Sequence, residues 1–133
     1  MSAHLTRAAL INAAPVVHVI DDDEAVRDAL AILLRTYGFA ARSYSSAEAF
    51  LDAPAPGPSD CIISDVQMPR LDGLELLSRL KRDGLTLPVI VMSGRGSRRM
   101  AEEAVARGAW GYVDKPFASD QIVEMVQDAL AAA

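Results

Sequence analysis

Short apolar runs and helical patterns alternate along almost the whole chain, and this alternation restricts the fold more than any other feature. The runs are rich in Val and Ile, whereas the segments between them repeat apolar residues every three or four positions. Glycine and proline punctuate the boundaries. The pattern predicts strands over 16–20, 40–44, 61–64, 88–92 and 111–113, and helices over 24–37, 45–51, 74–83, 98–107 and 119–130.

Strict alternation of strands and helices predicts a parallel sheet that is covered by helices on both faces. Right-handed crossover connections leave few arrangements of such units. We therefore predict an α/β fold with a doubly wound, five-stranded parallel sheet in the order 2-1-3-4-5, of the flavodoxin-like type. In this arrangement strands 1 and 3 are neighbours, and ligands bind beyond the carboxyl ends of the strands.

Polar residues mark where several of the helices begin. Asp23 precedes the first helix and is interpreted as its cap. Ser45 has Glu48 three residues later, which is the pattern of a capping box at the second helix. Ser119 is the predicted N-cap of the last helix. The first helix is expected to bury one face, formed by Val26, Leu30, Leu33, Leu34 and Tyr37.

Composition narrows the class of protein. The chain has 133 residues, of which 51% are hydrophobic, and this suits one domain with a packed core. We predict a tail over 1–15 and one domain over 16–133. No apolar run is long enough to span a membrane, and the net charge of −5 argues against a nucleic-acid-binding surface. The single cysteine, Cys61, is expected to be a buried thiol, and a reducing cytoplasm is the natural setting.

Polar side chains follow the ends of several predicted strands. Because the carboxyl ends of parallel strands meet at one edge of the sheet, these side chains should lie together. The set is Asp21, Asp22 and Asp23 after strand 1, Asp65 after strand 3, Ser93 after strand 4, and Asp114 and Lys115 after strand 5.

These residue types suit phosphoryl chemistry. Neighbouring carboxylates form an all-oxygen cation site for which Mg²⁺ is suited, with Mn²⁺ as an alternative. One carboxylate can then act as a nucleophile and form an aspartyl-phosphate. The ammonium of Lys115 and the hydroxyl of Ser93 would hold the phosphoryl oxygens, which is positioning and charge stabilisation.

Four segments resemble the signature blocks of the receiver domain of two-component response regulators. They are "VIDDDEAVR", "SDVQMPRLDG", "VIVMSGRGS" and "GYVDKPF", and the resemblance runs from Val16 to Leu130. The details "DDDEAVR", "SAEAFL" and "KPF" are similar to the nitrogen-fixation regulator subgroup. In that subgroup the receiver usually precedes a helix-turn-helix DNA-binding domain.

The resemblance implies a role for each residue of the acidic site. Asp65 would be the phosphate acceptor, and Asp21 and Asp22 would be the metal-binding pair, with Asp22 the direct ligand. The backbone carbonyl of Gln67 would be a further metal ligand, so that its side chain is not required. Lys115 would contact the phosphoryl group, and a cis bond to Pro116 would direct it into the site.

The resemblance also implies a switch. Ser93 and Tyr112 match the two switch positions, and the fourth helix, fifth strand and fifth helix match the surface used for homodimers or output contacts. A sensor histidine kinase would be the phosphoryl donor, and DNA would be reached only through an output domain outside this chain. Such a domain is a phospho-acceptor that catalyses its own phosphorylation and dephosphorylation, not an ordinary enzyme. His18 is interpreted as a core histidine. Asp72 and Gly73 are interpreted as the transition from a loop to the third helix, with no chemical role.

The sequence leaves three alternative functions open. A stand-alone regulator would act through protein contacts alone. A phosphatase with an aspartate nucleophile would normally carry a second aspartate two residues after the first, where this chain has Gln67. A nucleotide-binding module would carry a Gly-rich loop after strand 1, which the sequence lacks.

Overall fold

The computed structural model describes residues 15–94 and 98–132, which form five strands and five helices in alternation. All strands are parallel, and their order β2-β1-β3-β4-β5 confirms the predicted doubly wound sheet. The predicted tail lies outside the described residues except for Pro15. The elements are β1 Val16–Ile20, α1 Glu24–Thr36, β2 Ala40–Tyr44, α2 Ala47–Asp52, β3 Cys61–Asp65, α3 Gly73–Arg82, β4 Val89–Ser93, α4 Arg98–Ala106, β5 Gly111–Asp114 and α5 Ser119–Ala132.

Side-chain caps set the starts of α1 and α3. The Asp23 carboxylate accepts hydrogen bonds from the backbone N–H groups of Ala25 and Val26, as predicted. Asp72 caps α3 in a full capping box with Glu75. Each cap satisfies helix N–H groups that have no partner inside the helix.

The predicted capping box at α2 is wrong. Strand β2 extends to Tyr44, and the helix starts at Ala47, two residues after the predicted start, so that Ser46 is the cap and accepts from Ala49 N at 3.0 Å. The Glu48 carboxylate instead accepts from Leu71 N at 3.2 Å, in the loop between β3 and α3. The Glu48 side chain therefore makes a tertiary hydrogen bond and does not cap the start of α2 as the local pattern had predicted.

Two further local predictions are corrected. Ser119 is the first residue within α5 and not its cap, and the carbonyl of Ala118 accepts from Ile122 N at 3.2 Å. Tyr37 is not part of the buried face of α1, because the helix ends at Thr36 and Tyr37 is its C-cap residue, with 53% of its surface exposed.

The core has two parts, one on each face of the sheet. Below α1 and α5, Val19, Leu34 and Val126 belong to one cluster of fully buried residues. Below α2, α3 and α4, Ile62 and Leu77 belong to the other. Burial on both faces explains why β1, β3 and β4 are nearly continuous apolar runs. In the described ranges, no helix combines the length and the apolar character needed to cross a bilayer.

His18 and Cys61 are core residues, as predicted. Burial raises the pKa of the Cys61 thiol to about 12, which keeps it protonated and unreactive. His18 Nε2 lies 2.8 Å from Asp60 Oδ2, and Nδ1 lies 2.9 Å from the Tyr44 hydroxyl. Burial alone would raise the pKa of Asp60, but hydrogen bonds from His18, Val16 N and Gly57 N outweigh it and hold that pKa below its usual value.

Candidate functional site

The predicted acidic residues meet at the carboxyl edge of the sheet. Strands β1 and β3 are direct neighbours, with Ile20 opposite Ser64, so the residues that follow them emerge side by side. Carboxylate oxygens of Asp21, Asp22 and Asp65 all lie within 4.8 Å of one another. Asp23 points its carboxylate at the start of α1 and is outside this cluster. The site is therefore assembled from two strand tips, as the alternating pattern predicts.

The three carboxylates differ in their surroundings. Asp21 is fully buried, Asp65 is 4% exposed, and Asp22 is open to solvent. Both oxygens of Asp21 are engaged, one by the backbone N–H of Asp23 at 2.9 Å and the other by Lys115 Nζ at 2.7 Å. Asp22 therefore lies on the solvent side of the cluster, where a hydrated cation could enter.

Lys115 brings one positive charge into the cluster. Its ammonium contacts Asp21 at 2.7 Å and lies 3.4 Å from Asp65 Oδ1. The Lys115–Pro116 peptide bond is cis, and Lys115 N donates to the carbonyl of Ser93 at 2.8 Å. Burial lowers the pKa of Lys115, but the hydrogen bond and charge of Asp21, with a smaller effect of Asp65, outweigh it and raise that pKa. Lys115 is thus a firmly protonated cation at the site.

Asp65 carries an incompletely compensated charge. Burial, followed by the nearby charge of Asp21, raises its pKa from 3.8 to about 6, although Lys115 acts in the opposite direction. Asp65 Oδ1 is buried and accepts no hydrogen bond from any described residue. Three carboxylates that share one ammonium, which lies 3.4 Å from the buried Asp65 Oδ1, are a donor set that fits a hard divalent cation.

This electrostatic imbalance makes a pH-dependent prediction for Asp65→Asn without divalent cations. A carboxyl group whose pKa is raised in the folded state destabilises that state once it ionises. The resulting loss of folding stability in the wild-type protein is absent below pH 3.8. It grows between pH 3.8 and about 6 and reaches its full value above that pH. At pH 7 the variant should be more stable by about 1–2 kcal/mol, less than the full shift implies because Lys115 loses a partner.

Chemical denaturation of both proteins at pH 4 and pH 7 measures the difference. A stability gain that is equal at the two pH values would contradict the electrostatic explanation. Adding Mg²⁺ at pH 7 should stabilise the wild-type protein more than the variant, because only the wild-type protein has the full set of carboxylates.

Ser93 and Gln67 are joined by a side-chain contact that the sequence did not indicate. The Ser93 hydroxyl donates to Gln67 Oε1 at 2.9 Å. Ser93 is fully buried at the end of β4, whereas Gln67 is exposed in the loop after β3. The Tyr112 hydroxyl is buried nearby, and its pKa is raised by burial first and by Asp114, with Ser93 acting in the opposite direction. The two predicted switch residues are therefore neighbours.

Comparison with known proteins identifies the family. A model of the response regulator receiver domain matches residues 17–127. The chain belongs to this family. The receiver domain is 44% identical over 118 residues to the transcriptional regulatory protein FixJ of Bradyrhizobium diazoefficiens, covering 88% of this chain and 57% of FixJ. It is 37% identical over 120 residues to the response regulator protein TodT of Pseudomonas putida, covering 90% of this chain and 53% of TodT.

The crystal structure of FixJ-N has the same fold. The TM-score is 0.79 at 36% identity, over 90% of this chain and 95% of that one. The receiver domain spans about half the length of the curated relatives given above. The family match confirms the resemblance to nitrogen-fixation regulators and favours a signalling domain over the phosphatase and nucleotide-binding alternatives.

Gly73 has a structural role at the site that the sequence analysis missed. Its N–H donates to the carbonyl of Val66 at 2.9 Å. A Cβ atom at this position would overlap the carbonyl oxygen of Asp65 and lie 3.0 Å from the Cα of Val66. Gly73 thus lets α3 start directly against the backbone of Asp65. A glycine at the first position of a helix was the only sequence signal.

Helix α4 and the residue that precedes β5 are weakly buried. Ala104 is the one buried residue of α4, while Val105 is 60% exposed. Trp110, just before β5, is 45% exposed, although its N–H donates to the carbonyl of Val89 at 2.8 Å. An element with so little buried apolar area can shift at low energetic cost. This fits the predicted position of the output surface.

Proposed function

We propose that the receiver domain accepts a phosphoryl group on Asp65 from a sensor histidine kinase. The observation that carries this proposal is the cluster of Asp21, Asp22, Asp65 and Lys115 at one edge of the sheet. In the transfer, a carboxylate oxygen of Asp65 forms a bond to phosphorus while the phosphorus–nitrogen bond of the donor histidine breaks. The histidine nitrogen keeps the electron pair and takes up a proton.

A divalent cation belongs to this proposal. Asp21, Asp22 and Asp65 would hold Mg²⁺, or Mn²⁺ in its place, together with the backbone carbonyl of Gln67. When bound, the cation supplies charge neutralisation for the carboxylates and the phosphoryl oxygens. Lys115 is already within 3.4 Å of Asp65, so it needs little rearrangement to bind a phosphoryl oxygen.

The phosphorylated state would act through the switch residues. A phosphoryl oxygen can accept a hydrogen bond from the Ser93 hydroxyl, and a change at Ser93 alters the space available to the Tyr112 ring. The result is a shift of the surface formed by α4, β5 and α5, which would then bind a second copy or an output partner. DNA would be controlled only through an output domain outside this chain.

The proposed role also includes the extent of the receiver unit, its setting and the limits of its chemistry. Residues 16–133 form the receiver unit, which acts in the cytoplasm. Its chemistry is confined to its own phosphorylation and dephosphorylation, so it is not an ordinary turnover enzyme. The similarity to FixJ, a transcriptional regulatory protein, supports a role in transcription control.

Intact-mass spectrometry after incubation with acetyl phosphate tests the proposal. With Mg²⁺ we expect one phosphoryl adduct per chain, and with a chelator in place of Mg²⁺ we expect almost none. No adduct at saturating acetyl phosphate and Mg²⁺ would contradict the proposal. An adduct that forms equally well with the chelator would contradict the proposed role of the cation.

A further inference from the structure

The hydrogen bond between Ser93 and Gln67 occupies the group that a phosphoryl oxygen would need. Ser93 is the last residue of β4, and Gln67 lies two residues after Asp65 at the end of the neighbouring strand. Ser93 and Gln67 thus lie at the same carboxyl edge of the sheet as Asp65, and the Ser93 hydroxyl donates at 2.9 Å to the amide oxygen of Gln67.

We propose that the Gln67 side chain restrains Ser93 in the unphosphorylated receiver domain, and that phosphorylation of Asp65 must break this contact. The inference rests on the proposed function of Asp65. Gln67 is then a positioning residue that acts through Ser93. No role is expected for this side chain from the sequence alone, because only the backbone carbonyl of Gln67 is expected to bind the cation.

Competition for one proton is the physical basis of the restraint. A serine hydroxyl has a single O–H donor, so it cannot donate fully to Gln67 and to a phosphoryl oxygen at once. Ser93 is fully buried, which excludes bulk water as a substitute partner for that donor. The amide of Gln67 therefore stabilises the unphosphorylated arrangement, in which Ser93 donates to Gln67. The charged phosphoryl group is a stronger acceptor and stabilises the arrangement in which Ser93 donates to it.

The position of Gln67 makes the restraint separable from cation binding. Gln67 is exposed in the loop, so replacing its side chain removes little buried area. Any substitution keeps the backbone carbonyl, which is the group proposed to bind the cation. Met has nearly the length of Gln and lacks the acceptor oxygen, so Gln67→Met removes the contact with little change in shape.

Beryllofluoride with Mg²⁺, a stable analogue of the phosphoryl group, provides the measurement. We expect Gln67→Met to tighten beryllofluoride binding by about threefold to tenfold, the equivalent of one net hydrogen bond. Fluorine NMR of the bound analogue gives the affinity. Gln121→Met, at an exposed position of α5, is the matched control and should bind as the wild-type protein does.

A double-mutant cycle with Ser93→Ala tests whether Gln67 acts through Ser93. Without the hydroxyl there is nothing to restrain, so Gln67→Met should change the affinity by less than about twofold in that background. An equal effect in both backgrounds, or no effect in either, would overturn the proposal. Failure of the wild-type protein to bind beryllofluoride would count against the function proposed for Asp65 instead.

NMR of the tyrosine rings tests the restraint without any phosphoryl analogue. In the cation-free protein, Gln67→Met should move the Tyr112 ring signals, because the Ser93 hydroxyl is released toward that ring. The same substitution in the Ser93→Ala background should leave them in place. Unchanged Tyr112 signals in the single variant would overturn the restraint, whatever the outcome of the binding experiment.

Discussion

Asp65→Asn should abolish the phosphoryl adduct that acetyl phosphate forms with the wild-type receiver domain. The reason is that the carboxylates of the site differ in the hydrogen bonds that they accept. Both oxygens of Asp21 already accept hydrogen bonds, from Asp23 N and from Lys115, whereas Asp65 Oδ1 accepts none from the described residues. An asparagine amide is too weak a nucleophile to replace the carboxylate. Asp21, with both oxygens engaged, is not free to take over its role.

Intact mass and peptide mapping give the result directly. Asp83→Asn is the control, because Asp83 is an exposed aspartate at the C-terminal end of α3, at the opposite end of that helix from the site. The control should retain the full adduct. An adduct on Asp65→Asn at the wild-type level would place the acceptor on another residue and would contradict the central assignment.

Gly73→Ala should lower the free energy of unfolding by about 2–4 kcal/mol, in the range of severe overpacking in a dense interior. The added methyl group would overlap the carbonyl oxygen of Asp65, which is backbone and cannot rotate away. Either α3 or the end of β3 must move, and the hydrogen bond from Gly73 N to Val66 O would be strained. Chemical denaturation measures the loss.

Gly57→Ala provides the control for this prediction. A Cβ atom at Gly57 would make ordinary contacts at 3.5 Å or more with Asp60, so the change in stability should stay within about 1 kcal/mol. Phosphorylation by acetyl phosphate should also slow in Gly73→Ala, because the backbone of Asp65, the proposed acceptor, would be displaced. Wild-type stability in Gly73→Ala would contradict this prediction. It would show that the backbone of Asp65 can move at little energetic cost and that the close approach of Gly73 to it is not required.

Much of the site was accessible from sequence because it depends on strand ends. A polar residue that directly follows an apolar run lies at the carboxyl edge of a parallel sheet. The sequence therefore predicts that Asp21, Asp22, Asp65 and Lys115 lie close together. Strand bounds depend on local patterns and were accurate to within about a residue, in the usual range for element ends. Helix starts were predicted less accurately, because neighbouring polar residues compete as caps. Neither Ser45 nor Ser119 is the cap that the sequence predicted.

Tertiary structure alone decided how side chains from distant segments pair. The sequence does not indicate that Lys115 lies closer to Asp21 than to Asp65, that Asp60 is the partner of His18, or that Ser93 donates to Gln67. Strand order and the burial of apolar faces follow from periodic patterns that extend over many residues. A single hydrogen bond depends instead on distances of a few tenths of an ångström between loops, and those are set only when both faces of the sheet have packed.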